Sequence, residues 1–284
     1  MPTLGEYLRP TSVSQALDLI RSVSGRAGYI AGGTFLGMAR QVPYDALIDI
    51  TGLGLGTIAM DQERIRLGAT ATIQNLADSD ILRVPQLALL GQAARSVAGQ
   101  QIRNMATVAG NLVSGYLLAD LPAALLALGA ELVTAGAESR RIPLEDYYSH
   151  RSERRPHSWL VTEISFPMPP PEARGVFIKF ARTAHDVAIA DVACQALVNQ
   201  GRFQEVRLAL SATVNRPRRL TVAERFLEGR PADPETCREA AERAMEGLSL
   251  LDNVRAGRDY REQVVPVLLS RALLHCAGEG ERGR

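Results

Sequence analysis

The sequence of 284 residues has few cysteines and histidines, and neither kind is clustered. Its three cysteines, Cys194, Cys237 and Cys276, form no CxxC pair, and its four histidines show no HExxH or other ligand spacing. Three scattered thiols cannot supply the four ligands of an iron–sulfur cluster, and they do not suggest a disulfide framework. The sequence therefore predicts a reduced, intracellular chain with no metal site of its own.

The sequence also lacks a charge imbalance and a long apolar run. Lysine and arginine number 32 against 31 acids, so the formal net charge of +1 predicts no affinity for nucleic acid or anionic membranes. The arginine-rich residues 150–157 are interpreted as a solvated loop. The most apolar stretch, residues 121–137, is interrupted by Glu131 and is too short to span a bilayer. With no signal peptide pattern at the start, we expect a cytoplasmic protein without an integral membrane segment.

What is present is typical of a globular protein with two or three compact units. Apolar residues make up 46% and charged residues 22% of the chain. The first helix is predicted to begin after Thr11 or Ser12, because Ala16, Leu17 and Ile20 then share one face. Short strand and helix patterns alternate from there, which indicates α/β units in the first part of the chain.

A proline-rich segment separates this part from the rest. Residues 166–175, FPMPPPEARG, lack the backbone donors that a continuing strand or helix needs, so we predict a linker. Three strand patterns follow in close succession, and then two helices, the first with Asp233 as a cap and Pro234 in its first turn. Strands followed by helices predict an α+β unit from about Gly175 onwards.

Two glycine-containing corners carry the strongest functional signal. The first is YIAGGTFLGMAR, residues 29–40, and the second is ATVAGNLVSG, residues 106–115. A backbone without Cβ atoms can approach a bulky anion, and several N–H groups that point into one concavity bind phosphate well. Thr34 and Thr107 add hydroxyl groups. For either corner alone, a simple tight turn is the structural alternative.

A third glycine segment is interpreted differently. Residues 52–56, GLGLG, resemble the start of a dinucleotide fingerprint, but the G-x-G-x-x-G spacing is not completed and a strand pattern follows. We therefore predict a loop.

Three segments follow one another along the chain: AGGTFL, VAGQQIRNMATVAGN and ADLPAALLALGAEL. Together they resemble the flavin-binding medium subunit of molybdenum hydroxylases, the family of xanthine dehydrogenase and carbon monoxide dehydrogenase. The similarity extends through VFIKFARTAHDVAIADVA and YREQVVPVLLSRAL, nearly to the end of the chain. It implies an α+β fold: a two-subdomain N-terminal FAD-binding domain of the PCMH or vanillyl-alcohol-oxidase type, followed by a C-terminal antiparallel sheet with helices. The implied domains are residues 1–54, 55–170 and 175–284.

The resemblance also implies where FAD binds. The two corners would hold its diphosphate, and an acid after the second corner would contact the adenosine half. A lysine would lie near the cofactor, and an acid with the residue after it would lie beside the isoalloxazine, with a valine as a further candidate for lining that pocket. No catalytic residue and no metal ligand is implied. The matching positions are Ala31, Gly32, Gly33, Thr34, Phe35, Thr107, Val108, Ala109, Gly110, Asn111, Asp120, Val161, Lys179, Asp186 and Val187.

Two of these positions depart from the family pattern. Ala109 replaces a glycine, so its φ must be negative or strained. Phe35 replaces a residue that is commonly polar, which leaves only its backbone N–H for phosphate. Both departures bear on FAD affinity.

Several candidate side chains have a structural alternative. Asp120 could cap the helix that follows it, Lys179 could be a solvated strand residue, and Asp186 could be a turn acid. His185 is interpreted as a structural or surface residue and Cys194 as a core residue.

The function implied by the resemblance is electron transfer within an oxidoreductase complex. FAD on this chain would receive electrons from two [2Fe-2S] clusters on a small subunit, fed by a molybdenum cofactor on a large molybdopterin-binding subunit, in a dimer of heterotrimers. Two alternatives remain open: a free-standing FAD-dependent oxidoreductase, and a scaffold that has lost FAD. The sequence identifies neither the substrate of the complex nor the terminal electron acceptor.

Overall fold

A computed structural model of the chain describes residues 5–38, 44–60, 63–150 and 159–278. The chain packs as two compact units that interleave in sequence. The first unit comprises residues 1–76, 99–116 and 130–166; the second comprises residues 77–98, 117–129 and 167–284.

Strands and helices are mixed throughout the described residues. The strands there are β1 (Glu6–Leu8), β2 (Ala27–Ile30), β3 (Ala46–Asp49), β4 (Ile58–Met60), β5 (Arg64–Gly68), β6 (Glu131–Gly136), β7 (Arg140–Pro143), β8 (Trp159–Pro167), β9 (Arg174–Phe180), β10 (Ala190–Asn199), β11 (Arg202–Ser211) and β12 (Arg218–Arg219). The α-helices are α1 (Val13–Ser22), α2 (Ile73–Asp78), α3 (Ala88–Ser96), α4 (Gln100–Met105), α5 (Val108–Val113), α6 (Leu121–Ala127), α7 (Leu144–Ser149), α8 (Thr221–Leu227), α9 (Pro234–Arg243) and α10 (Arg258–Ala277).

The first unit begins with a small parallel sheet. Its strands lie in the order β1-β3-β2, and both pairings are parallel. Helix α1 begins at the predicted cap, since the Ser12 Oγ accepts a hydrogen bond from the Gln15 N–H at 3.1 Å. The predicted face, Ala16, Leu17 and Ile20, is buried in the core below this sheet. The prediction for this segment is therefore confirmed.

A second sheet completes the first unit, with strands in the order β4-β5-β8-β6-β7. Ile65 and Leu67 alternate along β5 and are fully buried, as a half-buried strand requires. The predicted loop at residues 52–56 begins within a single 3-10 turn, Thr51–Leu53, and then leads into the strand β4. The expectation that a strand rather than an α-helix follows is therefore confirmed.

The second unit is built on an antiparallel sheet with the order β12-β11-β10-β9. Alternate residues of β10, such as Val192 and Cys194, pack in an apolar core with α8, α9 and α10. The residues between them, including Asp191 and Gln195, belong to the opposite face, which α3 and α6 cover. Because β10 is covered on both faces, most of its residues are apolar, and Asp191 and Gln195 are the buried polar residues within it.

The sequence misjudged several smaller elements. The second corner is the helix α5 rather than an open turn. Residues 36–41, LGMARQ, have a pattern compatible with a helix; Leu36–Met38 form a 3-10 turn, and residues 39–41 lie outside the described range. Pro85 begins a 3-10 turn before α3, and Pro266 lies inside α10. The short strands β1, β4 and β7 were not predicted, because three or four residues carry too little periodicity.

Among the helices of the described residues, none combines the length and the apolar character that crossing a membrane requires.

The α1 cap gives a first prediction. Replacing Ser12 with Ala removes the acceptor for the Gln15 N–H, so the free energy of unfolding should fall by about 1 kcal/mol in a urea titration. The matched control is Ser14→Ala, the same chemical change at an exposed position inside α1, where alanine is the better helix former. Equal losses in the two variants would contradict the cap assignment.

Candidate functional site

The first corner follows directly from the end of β2. Gly33 has a φ of +65°, a left-handed conformation that glycine adopts without strain. Among the described residues, no protein acceptor receives the backbone N–H groups of Gly32, Gly33, Thr34 and Phe35. Consecutive free N–H groups around a left-handed residue form a concavity suited to an anion.

The backbone of the first corner lies directly against the segment that leads into the second. A Cβ atom built on Gly32 would lie 1.8 Å from the carbonyl oxygen of Met105 and 3.1 Å from the nitrogen of Ala106. Any side chain at position 32 would therefore push apart β2 and the end of α4. The structure brings together the two corners that are far apart in sequence.

The second corner is held by hydrogen bonds to residues 69–72. The N–H groups of Val108 and Ala109 donate to the carbonyl oxygens of Ala71 and Ala69, at 2.9 and 3.3 Å. Thr107 caps α5: its Oγ accepts from the Gly110 N–H and its carbonyl from the Asn111 N–H. The main-chain donors of residues 108–111 are thus already used within the protein.

The ligand-facing capacity of the second corner therefore lies in side chains. The Asn111 Oδ1 is buried, and no hydrogen bond reaches it in the described part of the chain. An unpartnered buried acceptor is costly unless a ligand or water satisfies it. Ala109 lies in the first turn of α5 and is not one of the described residues with positive φ, so its replacement of glycine causes no backbone strain.

An aromatic pair flanks the first corner. Phe35 is 38% exposed, and its ring centroid lies 5.9 Å from that of Tyr116 in a tilted arrangement. The Phe35 side chain thus contributes an apolar wall, while its N–H remains free.

In the second unit, Asp120 and Lys179 form a buried ion pair. The Lys179 Nζ lies 3.0 Å from the Asp120 Oδ1, and it also donates to the Ser96 carbonyl oxygen at 2.9 Å. Their side chains are only 9% and 7% exposed, so Lys179 is not a solvated strand residue. Asp120 occupies the cap position of α6 but makes no capping hydrogen bond, which removes capping as its role.

A second carboxyl group lies beside this pair, and the sequence reasoning missed it. Asp191 is fully buried and stands opposite Lys179 in the pairing of β10 with β9. Burial raises the pKa of Asp191 well above its usual range, and the neighbouring Asp120 raises it further. Burial also raises the pKa of Asp120 to about 6, against the opposing effect of Lys179. An aspartate within an apolar strand pattern was the available signal.

Asp186 is held by two arginines. Its carboxylate accepts hydrogen bonds from Arg182 at 2.9 Å and Arg255 at 2.6 Å, and from the Val187 N–H at 2.9 Å. These bonds, with that from Arg182 first, keep the pKa of Asp186 below its ordinary value. Arg255 was not singled out in the sequence, because its partner lies 69 residues away.

The remaining predicted residues lie as follows. Val161 is buried in β8, paired with Thr134 of β6. His185 is exposed, with its Nδ1 3.3 Å from the Ala98 carbonyl oxygen, and Cys194 is a fully buried core residue, as predicted. Of the arginine-rich residues 150–157, all but the first lie outside the described residues. In the described part of the chain, no group of three or more potential ligands could hold a metal ion.

This arrangement defines a class of protein: one with a glycine corner at the end of a parallel strand whose main-chain N–H groups could bind an anion. Two family models match the chain. Residues 3–169 match the FAD binding domain in molybdopterin dehydrogenase, and residues 176–276 match the CO dehydrogenase flavoprotein C-terminal domain. The chain therefore belongs to the family of FAD-binding subunits of molybdopterin dehydrogenases, and the resemblance seen in the sequence is confirmed.

Relatives in this family are similar over their whole length. Subunit alpha of the 6-hydroxypseudooxynicotine dehydrogenase complex from Paenarthrobacter nicotinovorans is 29% identical, over 96% of this chain and 94% of its own. The carbon monoxide dehydrogenase medium chain of Afipia carboxidovorans is 28% identical, over 96% of both. A solved structure of carbon monoxide dehydrogenase from Hydrogenophaga pseudoflava superposes with a TM-score of 0.91 at 26% identity, over 98% of this chain and 99% of that one. The predicted fold class is thereby confirmed.

The close approach at Gly32 gives a second prediction. In Gly32→Ala the new methyl group must displace the Met105 carbonyl, so we expect the free energy of unfolding to fall by about 1–3 kcal/mol in the absence of ligand. Gly37→Ala is the matched control, since a Cβ there meets no atom within 4 Å, and its effect should stay within about 0.5 kcal/mol. If both variants unfold at the same urea concentration, the contact is not as described.

Proposed function

We propose that this chain is the electron-transfer subunit of a molybdenum hydroxylase and holds FAD by its diphosphate on the first corner. The observation that carries the proposal is the run of free N–H groups from Gly32 to Phe35, which offers donors to an anion and to no described protein group. These residues are half-buried or exposed, so water can serve their N–H groups in the free chain, and a diphosphate is the acceptor that membership of an FAD-binding family would provide.

Each corner has its own role in this proposal. The first corner supplies main-chain donors, with the Thr34 hydroxyl beside them, and the ring pair of Phe35 and Tyr116 flanks the corner. The second corner supplies the Asn111 side chain, whose free oxygen can accept from a hydroxyl group of the ligand. Thr107, Val108, Ala109 and Gly110 fix the position of Asn111 through the capped start of α5.

The other positions stay predictions from the resemblance. Asp120 is assigned to the adenosine half, Lys179 to the neighbourhood of the cofactor, and Asp186 and Val187 to the isoalloxazine, with Val161 as a further lining residue. The ion pair and the two arginine contacts fix the first three side chains in place, which is what a positioning role requires. The division into residues 1–54, 55–170 and 175–284 and the cytoplasmic location also stay predictions.

FAD supplies the redox chemistry, and the protein sets its position, its potential and its access to other molecules. We propose that the electrons come from two [2Fe-2S] clusters on a small subunit, that a molybdenum cofactor on a large subunit supplies them, and that the complex is a dimer of heterotrimers. The relatives named as subunits or chains of dehydrogenases support this division of labour.

Recognition of a diphosphate predicts a preference among flavins. FAD added to the purified chain should raise its midpoint of thermal unfolding, with a stabilisation of about 2.7 kcal/mol when FAD is at 100 times its dissociation constant. FMN at the same concentration should stabilise less, because it carries one phosphate, and ADP should compete with FAD. Equal stabilisation by FMN and FAD would contradict the proposed site, and no stabilisation by FAD would favour a scaffold.

The proposed position of FAD, between the iron–sulfur clusters and the external acceptor, predicts how the complex behaves without flavin. In the complex purified with its partners and then stripped of FAD, substrate should still reduce the iron–sulfur clusters, whereas reduction of the external acceptor should be lost and should return when FAD is added. Acceptor reduction at the full rate without FAD would contradict the proposal. Reduction of the flavin by a small molecule in the isolated chain would favour a free-standing oxidoreductase.

A further inference from the structure

A row of polar side chains crosses the buried sheet of the second unit. In the register of that sheet, Lys179 on β9 stands opposite Asp191 on β10, and Asp191 stands opposite Ser211 on β11. Asp120, immediately before α6, lies over this row, with its carboxyl group within hydrogen-bond range of that of Asp191. This buried group thus contains two aspartates, Asp120 and Asp191, together with Lys179 and Ser211.

The charges of this group do not balance if every member is ionised. Asp191 and Ser211 are fully buried, and the side chains of Asp120 and Lys179 are less than 10% exposed. Two carboxylates against one ammonium leave one uncompensated negative charge away from water, which is strongly unfavourable.

No other group of the packed elements supplies the missing charge. Helix α3 contributes the Ser96 carbonyl oxygen, and β11 contributes the Ser211 hydroxyl. Arg207 shares the face of β11 but lies four residues along, beside Gly129 at the far end of α6. Arg261 of α10 is also buried nearby, but its guanidinium donates to the Ile189 carbonyl oxygen and the Thr213 hydroxyl rather than to either acid. Among the described residues, Lys179 is therefore the one cation bonded to an acid of this group.

The hydrogen bonds indicate where a proton is needed. Among the described residues, neither carboxyl oxygen of Asp191 has a hydrogen-bond partner of good geometry, although the Ser211 hydroxyl is near enough to lower the Asp191 pKa. The Ser211 hydroxyl lies beside it, but the bond that this hydroxyl donates goes to the Ala119 carbonyl oxygen at 3.4 Å. A protonated Asp191 would change from an acceptor without a donor into a donor toward Asp120.

We propose that Asp191 is a positioning residue that keeps its carboxyl proton at neutral pH and donates a hydrogen bond to Asp120. Asp120 then stays ionised and forms an electrically neutral buried pair with Lys179. The importance of this for flavin binding rests on the proposed function, in which Lys179 lies near the cofactor. A neutral pair holds the Lys179 side chain in one place and adds no net charge beside the cofactor.

The proposal predicts how the acids replace each other. In Asp191→Asn the amide takes the place of the protonated acid, so the ion pair of Asp120 with Lys179 should remain. In Asp120→Asn, Lys179 loses its counter-ion, and Asp191 should release its proton and take that role. In the double variant neither acid is left, so Lys179 is buried without a partner.

Infrared spectroscopy of the full-length chain without flavin tests the protonation state. The wild-type chain at neutral pH should show the carbonyl stretch of a protonated carboxylic acid, and this band should be absent in Asp191→Asn and also in Asp120→Asn. The control Asp18→Asn makes the same change at a mostly exposed carboxylate and should leave the band in place. A wild-type chain without the band, or an Asp191→Asn chain that keeps it, would overturn the proposal.

Unfolding measurements give an independent readout. The double variant should unfold at a lower temperature than the sum of the two single changes predicts, because each single variant keeps one counter-ion for Lys179. Additive shifts would overturn the proposal.

The pH dependence of stability follows from the raised pKa of Asp191. Above the ordinary carboxyl pKa of about 4, the folded chain keeps a proton that the unfolded chain has released, so stability is lost as the pH rises toward the folded pKa. Between the ordinary carboxyl pKa and the raised pKa of folded Asp191, the unfolding constant of the wild-type chain should rise with pH relative to that of Asp191→Asn, by up to about tenfold per pH unit. A ratio that does not change with pH would overturn the proposal.

All these measurements use the chain without flavin. If FAD fails to bind, the proposed function is contradicted, but the protonation of Asp191 is not. If the infrared band of the protonated acid is absent, the protonation of Asp191 is contradicted, but diphosphate binding is not.

Discussion

The close contact of two main-chain segments, Gly32 against Met105, is the constraint on which the site depends. The approach is too close for any Cβ atom at position 32. It brings the turn after β2 together with the capped start of α5, and it leaves the N–H groups of Gly32 to Phe35 without a described protein acceptor. The contact at Gly32 thus determines both the shape of the first corner and the presence there of main-chain N–H groups without a protein acceptor. An anion with several acceptor oxygens fits such a corner, and the proposal that this anion is the FAD diphosphate rests on membership of an FAD-binding family.

The two corners, though similar in sequence, contribute by different means. The first offers main-chain donors, whereas the donors of the second are used to hold α5 against residues 69–72 and to cap it through Thr107. This explains why alanine is tolerated at position 109, where the backbone is helical and no left-handed conformation is needed. In the second unit, charged side chains provide rigidity instead: Lys179 with its two acids, and Asp186 with its two arginines.

Local signals were sufficient for much of the fold. The caps of α1 and α9, Ser12 and Asp233, were read from the sequence, and both accept the hydrogen bond that the residue type predicts. The corners were found because glycine within a few residues of threonine is itself a local pattern. What the sequence could not give is which groups meet across the fold. Asp191 meets Lys179 only through strand pairing, so its role became visible only in the register of β9 and β10.

Amide hydrogen exchange at the first corner tests the central claim most directly. The N–H groups of Gly32, Gly33, Thr34 and Phe35 have no described acceptor in the free chain, so they should exchange rapidly there. Saturating FAD should slow their exchange strongly, while the amides of α9 should change little. The account is contradicted if FAD binds stoichiometrically and these four amides continue to exchange at the rates of the free chain.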